Sequence, residues 1–180
     1  HFQMDYHIPF NKIVRQDARE AHREQGGTHA HTQGYHQAWK LHTGFIYLRQ
    51  DAVNNGGHPN PAHTYFDPSQ ETNLFSARLG VGDHVWEFSL NGTWILGTGR
   101  FLFPREWGRE QLYTTLSRGR LEGLGDTKAV TLLAQWRPPF AHDHLKIAGG
   151  VSHNWTPNAT DYEMNKYGQK DWTHAIADIG

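Results

Sequence analysis

A period of two runs through this chain and constrains its fold more than any other feature. In Phe2-Gln3-Met4-Asp5-Tyr6-His7-Ile8 the even positions are apolar or aromatic and the odd positions polar. Successive strand side chains point to opposite faces, so this alternation describes a strand with one greasy and one wet side. From Tyr35 to Leu48 it returns, with Trp39, Leu41, Phe45 and Tyr47 opposed to His36, Lys40 and His42. Phe75, Ala77, Leu79 and Val81 then oppose Ser76, Arg78, Gly80 and Gly82. Beyond Gly82-Asp83 the pattern resumes, Trp86, Phe88, Leu90, Trp94 and Leu96 alternating with Glu87, Ser89, Asn91 and Thr93, which predicts a tight hairpin. Val130, Leu132, Ala134 and Trp136 form another apolar row, with Lys128, Thr131 and Gln135 assigned to the polar side. Leu145, Ile147, Val151 and Trp155 begin a return after the turn at Arg137-Pro138-Pro139, and Asp171 to Ile179 is a weaker strand.

The uninterrupted apolar runs span only a few residues, far short of the ~20 that a helix needs to cross a bilayer. A helical membrane protein is therefore excluded. Polarity comes largely from His, Asn, Gln, Ser and Thr, since only 19% of residues are charged while 13% are aromatic and 19 are glycine. That mixture suits strands and turns. No cysteine is present, so thiol chemistry and disulfides are unavailable. A net charge of −1 provides no global field for nucleic acid, which is not expected as a partner. The sequence starts at His1 with neither Met nor a signal-type apolar segment, which suggests a processed or fragmentary start.

The connections at 50–72, 98–126 and 157–169 are long and rich in Gly, Pro, Asn or charge. Segment 11–34 includes the charged run Arg15 to Glu24, which is compatible with a short surface helix. If long loops lie on one side of a membrane and short turns on the other, 11–34 and 50–72 conflict, because one strand separates them. An unrecognised strand or an insertion is expected there.

Alternation alone also fits a soluble β-sandwich. Aromatic residues near the ends of the apolar rows (Tyr35, Tyr47, Trp86, Trp94, Trp136 and Trp155) are placed as membrane-interface girdles would place them. The opposite face, with Lys40, His42, Arg78, Glu87, Asn91, Lys128, Gln135, Lys146 and Asn154, is similar in character to a water-filled lumen. A sandwich exterior has the same character, so both readings stand at this point.

Two stretches are more specific than periodicity. Phe101-Leu102-Phe103-Pro104-Arg105-Glu106-Trp107-Gly108-Arg109-Glu110 and Arg118-Gly119-Arg120-Leu121-Glu122-Gly123-Leu124-Gly125-Asp126 resemble a loop of the OprD-type outer-membrane porins. Asn55-Gly56-Gly57-His58-Pro59-Asn60-Pro61 and Leu145 to Gly168 continue the likeness, which spans about residues 35–180. The resemblance implies a large antiparallel barrel with about twice the strands this chain supplies, loops folded inward, and uptake of small, often carboxylate-bearing nutrients past basic residues. This sequence departs from the pattern in being short, in segment 11–34, and in ending at Gly180 without a terminal aromatic residue.

The expectation is thus an all-β protein, an antiparallel transmembrane β-barrel or the portion of one that residues 1–180 supply, with about eight strands. Segment 98–126 is expected to fold inward, and its Arg100, Arg105, Arg109, Arg118 and Arg120 outnumber Glu106, Glu110, Glu122 and Asp126. Guanidinium groups are permanently charged donor forks suited to carboxylates. Arg105, Arg109, Arg118 and Arg120, with Lys128 and Lys146, are therefore the candidate solute-guiding residues. The bland alternative is a solvated loop whose arginines pair with its own glutamates.

Among the fourteen histidines, His29, His31 and His36, and then His142 and His144, lie closest together. They have no thiolate or evident acidic partner, so no metal or other cofactor is expected. No nucleophile elbow or phosphate loop supports an enzyme. The expected partners are the bilayer with its lipopolysaccharide and small solutes, at the bacterial outer membrane. A soluble sandwich that stacks sugars on exposed Trp is the alternative. The sequence leaves the oligomeric state open.

Overall fold

A computed structural model describes residues 2–9, 39–52, 59–60, 70–103, 112–117, 119–141 and 144–180. Seven strands carry the alternating sequences: β1 (Phe2–Pro9), β2 (Lys40–Gln50), β3 (Thr72–Gly82), β4 (Trp86–Ile95), β5 (Thr127–Trp136), β6 (Ile147–Trp155) and β7 (Trp172–Ile179). They form one antiparallel sheet in chain order, each strand hydrogen-bonded to the next. Among the described residues β1 and β7 are its two edges, and the only helical piece is a 3-10 turn at Pro139–Ala141. No described helix is long and apolar enough to cross a membrane.

The expected count of about eight strands compares with seven described. The expectation of an unrecognised strand or an insertion around 11–34 can be followed only at the borders of that segment, which leaves the sheet at the end opposite to 51–71. β1 and β2 are direct neighbours, with Asp5 opposite Gly44 and His7 opposite His42, so no further strand stands between them in the sheet. Segment 11–34, with Arg15 to Glu24, His29, His31 and His36, lies outside the described residues. The connections at 51–71, 96–126 and 156–171 leave one end of the sheet, and those at 83–85 and 137–146 leave the other.

The β3–β4 hairpin forms as its Gly-Asp sequence predicts. The Asp83 carboxylate accepts from the backbone N–H groups of Val85 and Trp86 at 2.8 and 2.7 Å, satisfying donors that the turn would otherwise leave open. Strands β4 and β5 then pair across segment 98–126 from Trp86 opposite Trp136 to Ile95 opposite Thr127.

The pleat sorts the side chains as the alternation requires. Phe75, Leu79, Val81, Trp86, Phe88, Leu90, Trp94, Val130, Leu132, Val151 and Trp155 line one face and are exposed. Leu132 is 60% and Leu90 50% exposed, so no second sheet covers this face among the described residues.

The opposite face carries the buried positions, and its character changes along the strands. At the end bearing the long connections it is apolar, with Ile46, Leu74, Ile95 and Ala129. Next come Ser76, Ser89, Asn91, Thr93, Thr131, Ser152 and Asn154, all buried. Arg78 stands level with Asn91, and Glu87 and Gln135 lie toward the short turns.

The hydrophobic core lies between this face and segment 96–126: Leu74, Ile95 and Ala129 pack with Phe101, Leu112, Leu121 and Leu124, flanked by Leu48, Phe103 and Trp172. Burying one such Leu or Phe side chain stabilises by about 1.5–3 kcal/mol. The segment is thus fastened to the sheet as a core element.

Candidate functional site: the polar face and the segment across it

The candidate site is the polar face together with the part of segment 98–126 that crosses it. Its start is fixed by Gln50 of β2, whose side-chain oxygen accepts from Leu102 N at 2.8 Å while its amide donates back to Leu102 O. Phe101 N donates to Leu124 O at 2.9 Å and Gly123 N to Phe101 O at 2.7 Å, so the segment closes on itself. Its far end is clasped by the β6–β7 connection, through Gly125 N to Met164 O at 2.7 Å and Lys166 N to Gly123 O at 3.1 Å. Within that connection the Asn165 amide donates to Pro157 O and Gln169 O, which shapes the clasp.

Between these ends, residues 112–116 lie on a row of small hydroxyls. Tyr113 N donates to Ser76 Oγ at 3.2 Å, and the Thr114 hydroxyl donates to Thr93 Oγ1 at 2.7 Å. Ser76 and Thr93 are cross-strand partners whose hydroxyls are 2.8 Å apart. Thr131 donates to Thr114 O at 2.8 Å and sits 2.8 Å from the hydroxyl of its partner Ser152. Four strands, β3 to β6, therefore hold a two-residue stretch through short side chains whose hydrogen-bonding capacity is met by it. Buried hydroxyls without partners would be costly, so the segment and the row require one another.

Two glycines make the close approach possible. Gly44 of β2 lies beneath the Tyr113 ring, where a Cβ would stand 2.6 Å from Tyr113 Cζ. At Gly150 of β6 a Cβ would stand 2.5 Å from Leu133 Cδ2 on β5 and 3.3 Å from Leu116 Cδ2, so that glycine first makes room for its strand neighbour and then for the segment. The Tyr113 hydroxyl donates to the Asp5 carboxylate on β1. Burial first, then that hydrogen bond and the Asp5 charge, push the phenol up to about 12. Glu122, buried at the segment's end, is raised above the ordinary carboxylate range by desolvation, against a lowering by Lys166.

The expected solute-guiding residues are distributed unevenly. Arg105, Arg109 and Arg118 lie outside the described residues, as does His142. Arg100 is buried at the start of the segment. Arg120 is exposed and borders a cavity of about 370 Å³ at the edge strand, together with Gln169, Trp172, Thr173 and His174. Lys146 has the parity of the polar face and is exposed next to β6, its backbone exchanging hydrogen bonds with Gly180.

Lys128 requires a correction. Its charge suggests the polar face, yet the pleat puts even-numbered residues of β5 on the apolar face with Val130 and Leu132. The Lys128 ammonium accordingly lies 5.7 Å from the Trp94 ring centroid, on the outside of the sheet.

Sequence reading missed two features. One is the Arg78–Glu87 ion pair at 2.7 Å, half-buried on the polar face beside a cavity of about 140 Å³ that Gln135 also lines. The other is the hydroxyl row. Its signal was the run of Ser and Thr at polar-face positions of four strands, visible only once register brings Ser76 to Thr93 and Thr131 to Ser152.

Among the described residues no group of three or more His, Cys, Asp or Glu side chains could hold a metal. The chain matches no family model, no curated protein and no solved structure.

Proposed function

We propose that this chain forms part of an outer-membrane β-barrel that acts as a passive channel for small solutes, carboxylate-bearing ones included. One observation carries the reading. The aromatic and aliphatic face of the sheet is the open one, while the hydroxyl-, amide- and charge-bearing face receives a folded-in segment. A water-soluble sheet buries its apolar face. A sheet whose solvent is lipid on one side and a water-filled lumen on the other is built the opposite way.

Dimensions support the same reading. Strands β2 to β6 have 9 to 11 residues, the length that spans a bilayer at a tilt of about 45°. Strand β4 has Trp86 and Trp94 on its apolar face, eight residues apart. At about 3.3 Å per residue that is about 26 Å of strand, and about 20 Å along the membrane normal at a tilt of about 40°. An apolar band of about 25 Å between aromatic girdles is what such barrels present. A sugar-binding sandwich would need a second sheet over the apolar face, and the described residues provide none.

In this reading the 98–126 segment narrows the lumen, and Arg120, with Arg105, Arg109 and Arg118 in the same segment, guides anions. Lys146 contributes from the strand end. No catalytic step and no cofactor is invoked. Planar-bilayer recording of the intact protein tests the proposal. Anion-preferring conductance is expected, reduced most visibly at low salt by Arg118→Gln with Arg120→Gln, since screening shortens the reach of each charge. A protein that stays folded and soluble without detergent, and does not conduct, would overturn it.

A further inference from the structure

Across the apolar face, at the end bearing the long connections, register aligns one residue from each of six strands. Phe2, Tyr47, Phe75, Trp94, Lys128 and Trp155 are successive cross-strand partners. Five are aromatic and one is cationic. Tyr47 and Phe75 stack at 5.2 Å, and Lys128 reaches over Trp94. Lys128 is the only Lys or Arg on the apolar face of strands β3 to β7. It is the second residue of its strand, while Trp94 and Trp155 stand at the adjoining strand ends.

A cation in that setting is not explained by the interior of the protein. Lys128 has no carboxylate within ion-pair distance among the described residues, unlike Arg49 and Arg78. Its aliphatic stem can lie along apolar surface while the ammonium reaches the polar boundary, and the two indoles belong at the same depth.

We infer that Lys128, flanked by Trp94 and Trp155, is a contact site for the phosphate of an anionic membrane lipid headgroup. The inference rests on the membrane reading above. Charge complementarity selects the ligand: three ammonium donors face outward from an apolar surface, where the available acceptor is a headgroup phosphate. The indoles hold the ammonium near the boundary, and their own N–H groups suit the same oxygen-rich layer.

Quenching of tryptophan fluorescence by brominated lipids tests this on the intact protein in vesicles, comparing brominated phosphatidylglycerol with brominated phosphatidylcholine. The wild type should prefer the anionic lipid. Lys128→Gln should lower that preference about five-fold, which at 1.4 kcal/mol per tenfold is about 1 kcal/mol, and Lys128→Arg should retain it. Quenching by both lipids with an unchanged preference in Lys128→Gln would overturn the inference and leave the membrane reading standing. Quenching by neither lipid would remove both. Competition by inorganic phosphate at the same site would make it a free-anion site, and a change of oligomeric state in Lys128→Gln with the preference intact would give the row to a second copy. Either result overturns the headgroup assignment.

Discussion

Gly44→Ala is the sharpest probe of how the crossing segment is seated. The new methyl group would stand 2.6 Å from Tyr113 Cζ and 2.6 Å from Asp5 Oδ1. Carbon atoms rest about 3.5–4.0 Å apart, so the ring must lift by about 1 Å. Asp5 can swing aside, but Tyr113 cannot move freely, because its backbone N–H is held by Ser76 and the next residue by Thr93 and Thr131. Overpacking of this kind costs about 1–3 kcal/mol. Denaturation of the intact protein in detergent should show that loss, and in the proposed channel conductance noise should rise as the segment loosens. Gly92→Ala is the control, since a Cβ there meets nothing within 4 Å. It should be neutral or stabilising by up to about 1 kcal/mol, the usual difference between Gly and Ala inside a strand. In a Tyr113→Ala background the Gly44→Ala cost should largely vanish, a coupling of about 1–3 kcal/mol. Costs that simply add, within about 0.5 kcal/mol, would refute the argument that Gly44 is empty to receive this ring.

Two further predictions concern the segment's end and the apolar face. Glu122 has a folded-state pKa raised by burial. Its contribution to stability is complete below the unfolded value of about 4.3 and is lost as pH rises through the folded one. Glu122→Gln should therefore gain on the wild type as pH climbs from about 4 to neutrality; a pH-independent difference in denaturation free energy between the two would contradict this. Trp86 and Trp136 stack at 5.5 Å on the apolar face, so a double-mutant cycle to Ala in detergent should return a coupling of about 0.5–1.5 kcal/mol, and none if the rings act independently.

The strands were legible because each carries a two-residue period uninterrupted over most of its length, and a one-residue slip would put every Trp on the wrong side. Trp86, Phe88, Leu90 and Leu132 fall on one face and Glu87 and Asn91 on the other, as the alternation requires. Lys128 shows where the reading fails. Its charge points to the polar face and its parity to the apolar one, and a long stem lets a lysine occupy an apolar face near its boundary. The hydroxyl row was hidden for a different reason. Ser and Thr are unremarkable anywhere in a strand, and only the registers of three strand pairs reveal that Ser76, Thr93, Thr131 and Ser152 line up beneath Tyr113 and Thr114. Segment 98–126 is recognisable by its composition, but its seat on the sheet depends on Gly44, whose missing side chain leaves no periodic trace.

The manner of this seating also bears on how such a protein can change. The grip on the crossing stretch uses Tyr113 N, Thr114 O, the Thr114 hydroxyl and the Tyr113 hydroxyl, so two of its four points are peptide groups that every residue but proline supplies. The exposed neighbours Ser117 and Arg120 take no part in those bonds. Charge can be added to or removed from them while these bonds stay in place, so in the proposed channel new solute preferences would be within reach of single substitutions. The sheet and the exposed positions of the segment it holds are thereby free to evolve at different rates.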